Sequence, residues 1–284
     1  MIVITDDYML DPDIEAPVWH TRILSDNIAR DGSVSASSND SAEGHINAPA
    51  SDQTFEWWRP NSMPAWWAVD AGGSVDVDCV GIAVHDMPWN GATAQVQYSN
   101  NGSSWNDIDG AFIAPANESP IMILFKKQSA RYWRVRFAGD FALPPRVGVI
   151  HIGKAIAMPR PVQWMGHTPG TLNANTIKRA SQSERGQRLG TTVIRIGFDA
   201  AFTVDNLDED WVRGYFAKFM RQARRYGYFI AWRPTQFPRE VLYGWADDDI
   251  VPENAQGGTT RLMSVSWDMM AHGSYDEQIY PWGG

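Results

Sequence analysis

From residue 66 onward the chain alternates apolar and polar positions over short stretches, the period-2 pattern of half-buried strands. Residues 66–70 and 79–84 are two such stretches, separated by Gly72-Gly73. Residues 94–99 form a third and run into Asn100-Asn101-Gly102, residue types that accept positive φ and so close a tight hairpin. Residues 121–125, 132–137 and 147–152 complete the set. Many short strands with regular turn signals and no long helix predict a sandwich or a barrel.

The period changes past Met158-Pro159-Arg160-Pro161, where two prolines interrupt helix and sheet alike. Residues 192–198 alternate as a strand. Val212, Tyr215, Phe216, Phe219, Ala223 and Tyr226 then recur at helical spacing, predicting a helix over about 208–226. Asn206 is the expected N-cap, with Glu209 as its capping-box partner. Arg221, Arg224 and Arg225 suit the negative end of the helix dipole, and Gly227 suits the position just past it. Residues 228–232 and 262–267 read as further strands. The expected fold is therefore mainly β. An arm or edge strand over 1–19 precedes a β-sandwich over 20–158. Linker and entry strands over 159–190 lead to an α+β domain over 191–284, with a sheet and one main helix.

Composition narrows the function. With 284 residues, 44% of them hydrophobic, a packed core is expected. The net charge of −9 and the lack of a long basic block argue against nucleic acid and against an anionic membrane surface. Apolar runs are too short for a transmembrane helix. The first residues lack the basic and apolar regions of a signal peptide, so synthesis in a cytoplasm is expected. Cys79, the single cysteine, excludes an internal disulfide, and its alternating surroundings place it in a buried strand.

Five stretches, taken in order, resemble the discoidin family, the coagulation-factor C-type domain with a galactose-binding jelly-roll fold. They are residues 35–39 (SASSN), residues 47–57 with their Asp52-Gln53-Thr54-Phe55 and Trp57, residues 66–72 (WWAVDAG), the hairpin 95–105 (QVQYSNNGSSW), and residues 130–135 (ARYWRV). The resemblance implies that Trp66, Tyr98, Trp105 and Trp133 are buried, and that loops at one end of the sandwich form a ligand site. Trp57, Trp58, Arg59, Trp89 and Asn90 are loop residues able to present flat faces and hydrogen-bonding groups to a sugar. Their rival role is packing against neighbouring subunits. Family members often carry a compact calcium loop. Here that region is a longer segment whose Glu43, Asn47, Asp52 and Glu56 are oxygen donors of the kind Ca2+ takes, and solvated loop carboxylates are the alternative.

The second half resembles tail-tip and baseplate ring proteins of long-tailed bacteriophages through residues 182–186 (QSERG), the strand–helix–strand unit, residues 229–234 (FIAWRP) and residues 245–250 (WADDDI). What this implies is a structural subunit of the virion tail, made in the host cytoplasm. Its partners would be other copies of itself, neighbouring tail proteins and a host-surface glycan. Tyr275, Ile279, Tyr280 and Trp282 are candidate oligomer contacts, since a tail this apolar is costly to leave in water. A stand-alone carbohydrate-binding protein is the alternative, and a glycan-active enzyme a further one. No catalytic constellation stands out. The six histidines lack metal-ligand spacing, no nucleophile elbow or phosphate loop occurs, and Asp247-Asp248-Asp249 reads as a solvated turn. Paired glycosidase carboxylates distant in sequence stay open. The expectation is a binding or structural protein with no required cofactor.

Overall fold

The structure is a computed structural model, and it describes residues 1–12, 14–139, 143–165, 167–255 and 261–272. The first strands in chain order are β1 (Ile2–Ile4), β2 (Arg22–Leu24), β3 (Ser33–Ala36), β4 (Ala65–His85), β5 (Thr93–Ser99), β6 (Asn106–Ile113), β7 (Ile121–Ala138), β8 (Val147–Gly153) and β9 (Ile156–Ala157). A short helix α1 (Asp6–Met9) follows β1. The later strands are β10 (Ala174–Gln182), β11 (Arg188–Asp208), β12 (Tyr228–Ala231), β13 (Val241–Ala246), β14 (Val251–Asn254) and β15 (Leu262–Ala271), and helix α2 spans residues 209–223 between β11 and β12.

Seven strands make the first sheet, in the order β3-β4-β7-β5-β6 with β1 on β7 and β8 on β4. The stretches expected as separate strands, 66–70 with 79–84 and 121–125 with 132–137, are two halves of the long strands β4 and β7. The β4–β7 register shifts between Asp70 and Val75, and again between Val77 and Cys79. Such irregularities bend a strand, and here one sheet folds over into two faces around a shared core. Trp58, Trp67, Trp133, Phe125 and Phe137 are fully buried in it.

Eight strands make the second sheet, β10-β11-β15-β13-β12-β2-β9, with β14 on β15. Period 2 explains how it packs. In β12, Tyr228 and Ile230 face α2, while Phe229 and Ala231 face the sandwich. In β7, Ile121, Ile123 and Phe125 point into the sandwich, while Met122 and Leu124 point at the second sheet. Strands that are apolar at every position are covered on both faces. On β4 the residues turned to the second sheet are small. Cys79 and Ala83 flank Gly81, where an added Cβ would lie 2.7 Å from the Phe229 ring.

The chain passes from the sandwich sheet to the second sheet between β8 and β9, ahead of the expected boundary at 158–161, and contacts run across that boundary. Strand β2, from the segment assigned to the sandwich, pairs with β12, and β9 pairs with β2. The N-terminal segment is held too. Strand β1 pairs parallel with β7, and the fully buried Arg22 donates to the Tyr8 hydroxyl at 2.9 Å and to the Ala16 carbonyl at 2.8 Å. A polar cluster pins the two sheets. His151 Nε2 lies 2.9 Å from Asp52 Oδ1, Arg30 reaches the same oxygen at 3.1 Å, and the Tyr243 hydroxyl donates to the Asp52 carbonyl at 3.0 Å. Burial favours neutral His151, while the hydrogen bond from His151 and the Arg30 charge offset the burial of Asp52 and hold its carboxyl below the usual range.

Three expectations are corrected. The cap of α2 is Asp208, whose side chain accepts from the Trp211 N–H at 3.0 Å; Asn206 sits in β11 with φ 58°. Glu209 bonds Arg213 and Arg261 rather than closing a capping box. Trp66 and Trp105 are half-buried on the outer sheet face, with the Arg134 guanidinium 4.1 Å from the Trp105 ring centre and 5.8 Å from that of Trp66. Tyr98 is half-buried and packs on the core beside the buried Trp133, while Trp66 stands on the strand face opposite to Trp67. The tail residues Tyr275, Ile279, Tyr280 and Trp282 lie outside the described residues.

Candidate functional site

Three loops converge at one end of the sandwich. Trp58 and Val147 exchange backbone hydrogen bonds at 2.9 and 3.0 Å, tying the segment before β4 to the start of β8. The Asp86 N–H donates to the Arg146 carbonyl at 3.2 Å, which brings in the loop after β4. That loop is a tight 3-10 turn over Met87–Asn90. Pro88 presets its backbone, and Gly91 ends it in the left-handed region at φ 53°, a conformation that costs glycine least. Met87 is fully buried and anchors the turn, so Trp89 at its crest is 66% exposed.

A polar chain links this turn to the loop before β8. Asp86 accepts from the Arg146 backbone N–H at 2.6 Å and from its Nε at 3.0 Å. The Asn90 amide donates to the Asp86 carbonyl and to its carboxylate, both at 3.0 Å. The Arg146 guanidinium lies 5.2 Å from the centre of the Trp57 ring, so the cation is ordered by an ion pair on one side and an indole face on the other. Phe55 and Leu143, on the same loops, are 68% and 56% exposed. These loops thus carry exposed apolar and aromatic side chains together with a carboxylate and a guanidinium. Such a set suits a ring with one apolar face and hydroxyls at its edge.

The expected sugar residues divide. Trp57 and Trp89 belong to this set. Trp58 is fully buried, with its indole N–H donating to the Ser38 carbonyl at 2.9 Å and its ring 5.8 Å from that of Phe137, so it is a core residue and offers no face to a ligand. Arg59 is buried, with Nε donating to the Pro144 carbonyl at 3.1 Å and Nη1 facing Glu43 at 3.4 Å. Asn90 is buried and acts through Asp86. Asp86 and Arg146 were missed. The signal was the proline spacing, since Arg146 follows Pro144-Pro145 and Asp86 precedes Pro88, and both pairs mark loops.

The four expected calcium donors are not brought together. Glu43 is paired with Arg59, and Asp52 faces Arg30 and His151. Asn47 and Glu56 are exposed and form no side-chain hydrogen bond with either. Among the described residues no group of three or more His, Cys, Asp or Glu side chains is placed to hold a metal ion. Glu43 and Asp52 were drawn to cations of the chain itself, which sequence spacing does not reveal.

Comparison with known proteins gives the following. The family model described as a NedA-like, galactose-binding domain of the F5/F8 type C group matches residues 31–135. Among solved structures, chitosan-binding module 1 of a chitosanase/glucanase from Paenibacillus sp. IK-5 is 18% identical over 44% of this chain and 97% of its own, with a TM-score of 0.39. A Clostridium perfringens module in complex with GalNAc-β-1,3-galactose is 12% identical over 45% of this chain and 99% of its own, also at 0.39. A pectin-binding carbohydrate-binding module is 24% identical over 45% and 93%, at 0.37. No curated protein matches the chain.

Proposed function

With residues 31–135 forming a galactose-binding-like domain of the F5/F8 type C family, we propose that this chain is a carbohydrate-binding protein whose ligand sits on the loop end of the sandwich. Trp89 supplies the flat face, and Asp86 and Arg146 bond hydroxyls. The single observation behind this is that Trp89 is 66% exposed on the turn that begins at Asp86, whose carboxylate is ion-paired with Arg146. A bare indole on this turn is poorly explained by folding, because Met87 and Asn90 are the buried residues that anchor it and Trp89 is not. The ligand is a neutral, galactose-like sugar, since Arg146 is already balanced by Asp86. The carboxylates Asp52 and Asp78, half-buried and buried, lie in separate clusters, each held by protein donors, which favours binding over hydrolysis.

The test is a glycan array followed by calorimetry on wild type and Trp89→Ala. Binding of a galactose-type glycan that weakens by roughly tenfold or more, about 1.4 kcal/mol, in a variant of unchanged melting temperature is expected. An empty array, or equal affinity for both proteins, would overturn the reading.

A second reading is a structural subunit of a bacteriophage tail tip or baseplate, self-assembling in the virion and displaying the galactose-binding-like domain. The observation favouring it is the ribbon formed by β10 and β11, which projects past the second sheet with almost all its side chains exposed. Light scattering of the purified chain tests self-assembly. A single-chain mass at every concentration would remove this reading.

A further inference from the structure

The ladder between β10 and β11 runs from Ala174 opposite Phe198 to Gln182 opposite Arg188, while β15 pairs with β11 only from Phe198 onward. Everything beyond Phe198 is thus a two-stranded ribbon without a third strand, roughly 30 Å long at about 3.3 Å per residue. Its tip is orderly. Gly186 takes φ 76°, and the Ser183 N–H donates to the Gln187 carbonyl at 2.8 Å.

A ribbon of two strands is marginal in water unless a face or edge of it is covered. Here Ile177, Leu189, Val193 and Ile194 are 48%, 68%, 42% and 63% exposed, and none belongs to a buried cluster. The ribbon also differs in charge from the rest of the chain. Residues 174–195 hold five basic side chains and one acidic one; with the whole chain at −9, the remainder stands at −13. Among the described residues no ion pair engages Lys178, Arg179, Arg185 or Arg188, and the Arg188 side chain bonds only to Thr191.

We propose that this ribbon is an assembly arm that docks on the acidic body of a second copy of the chain. The arm brings apolar side chains that lack a cover and cations that lack counter-charges. A second copy supplies carboxylates in excess, and its contact removes the apolar groups from water. Like charge also keeps arms from pairing with each other, which directs each arm to a body instead. The inference rests on the self-assembly reading above and names the segment that carries it.

The experiment is light scattering on the full chain, on a variant combining Lys178→Glu, Arg179→Glu, Arg185→Glu and Arg188→Glu, and on a variant combining Leu189→Asn and Ile194→Thr. All these residues are exposed, so circular dichroism and melting temperature should match wild type. Wild type is expected as a multi-chain species that dissociates as salt rises. The charge-reversed variant is expected at single-chain mass, and the Asn/Thr variant as a weaker assembly. Wild-type mass in the charge-reversed variant would overturn the arm while leaving self-assembly standing. A monomeric wild type would overturn both. So would a monomer that uses these cations to retard a single-stranded oligonucleotide or to sediment with phosphatidylserine vesicles.

Discussion

Replacing Phe229 by alanine asks whether the sandwich and the second sheet unfold as one body. Phe229 is fully buried between them, with its ring centre 4.7 Å from that of Tyr243 and 5.2 Å from that of His151. It rests on Gly81, where even a methyl group would come within 2.7 Å of the ring. Truncating a buried phenylalanine costs about 3–5 kcal/mol, part of it the cavity left behind. Collapse into that cavity is resisted because β4 and β12 are central strands, each paired on both sides. Against a total stability of ~5–15 kcal/mol the loss is large, and at ~2–4 °C per kcal/mol the melting temperature should fall by roughly 6–20 °C. Differential scanning calorimetry is the assay. One transition that moves as a whole is expected, because the small residues on β4 and the aromatic ones on β12 and β13 form a single buried layer. Two transitions, of which only one responds to the substitution, would refute the reasoning and make the halves independent domains.

Asp78 gives a pH test. It is buried and accepts from the Ala155 N–H at 2.7 Å, and burial pushes its carboxyl from the ordinary 3.8 up to about 7. Lys154 and Arg22 pull it down and Glu15 pushes it up, without reversing the shift. The folded state therefore holds the proton more tightly, and ionised Asp78 weakens the fold as pH rises from about 3.8 to about 7. Asp78→Asn keeps the acceptor and removes the charge. It should raise the melting temperature at pH 8 and lose that gain below pH 3.8; equal melting curves at both ends would contradict the assignment. A third test separates two tryptophans. Trp133→Ala, in the core, should cost ~3–5 kcal/mol, whereas Trp105→Ala, which loses its stack on Arg134, should cost about 1 kcal/mol; equal losses in urea melts would refute the placement of Trp105.

Much of the fold was legible along the chain because strands and helices announce themselves by period. Residues 66–70, 94–99 and 147–152 read as strands from local alternation or a short apolar run, and each lies in one. Val212, Phe216, Phe219 and Ala223 were recognisable as a buried helix face from their spacing alone. The hairpin over 95–105 and its neighbours carried the family likeness, and they lie within the residues 31–135 that the family model matches.

What the sequence by itself determined, then, was each element and the kind of surface it presents. Only the tertiary structure decided which surfaces meet. Trp57 and Trp58 are adjacent loop tryptophans in sequence, yet one stacks on Arg146 and the other fills the core, because Trp58 pairs with Val147, 89 positions further on. Asp52 reads as a metal donor until Arg30 and His151 arrive from other elements, one pairing with its charge and the other hydrogen-bonding its carboxylate. The run 228–232 declared itself apolar, but only the arrival of α2 on one side and the sandwich on the other explains why every residue in it is buried. Period is a property of neighbours in the chain, whereas burial and charge compensation are properties of neighbours in space.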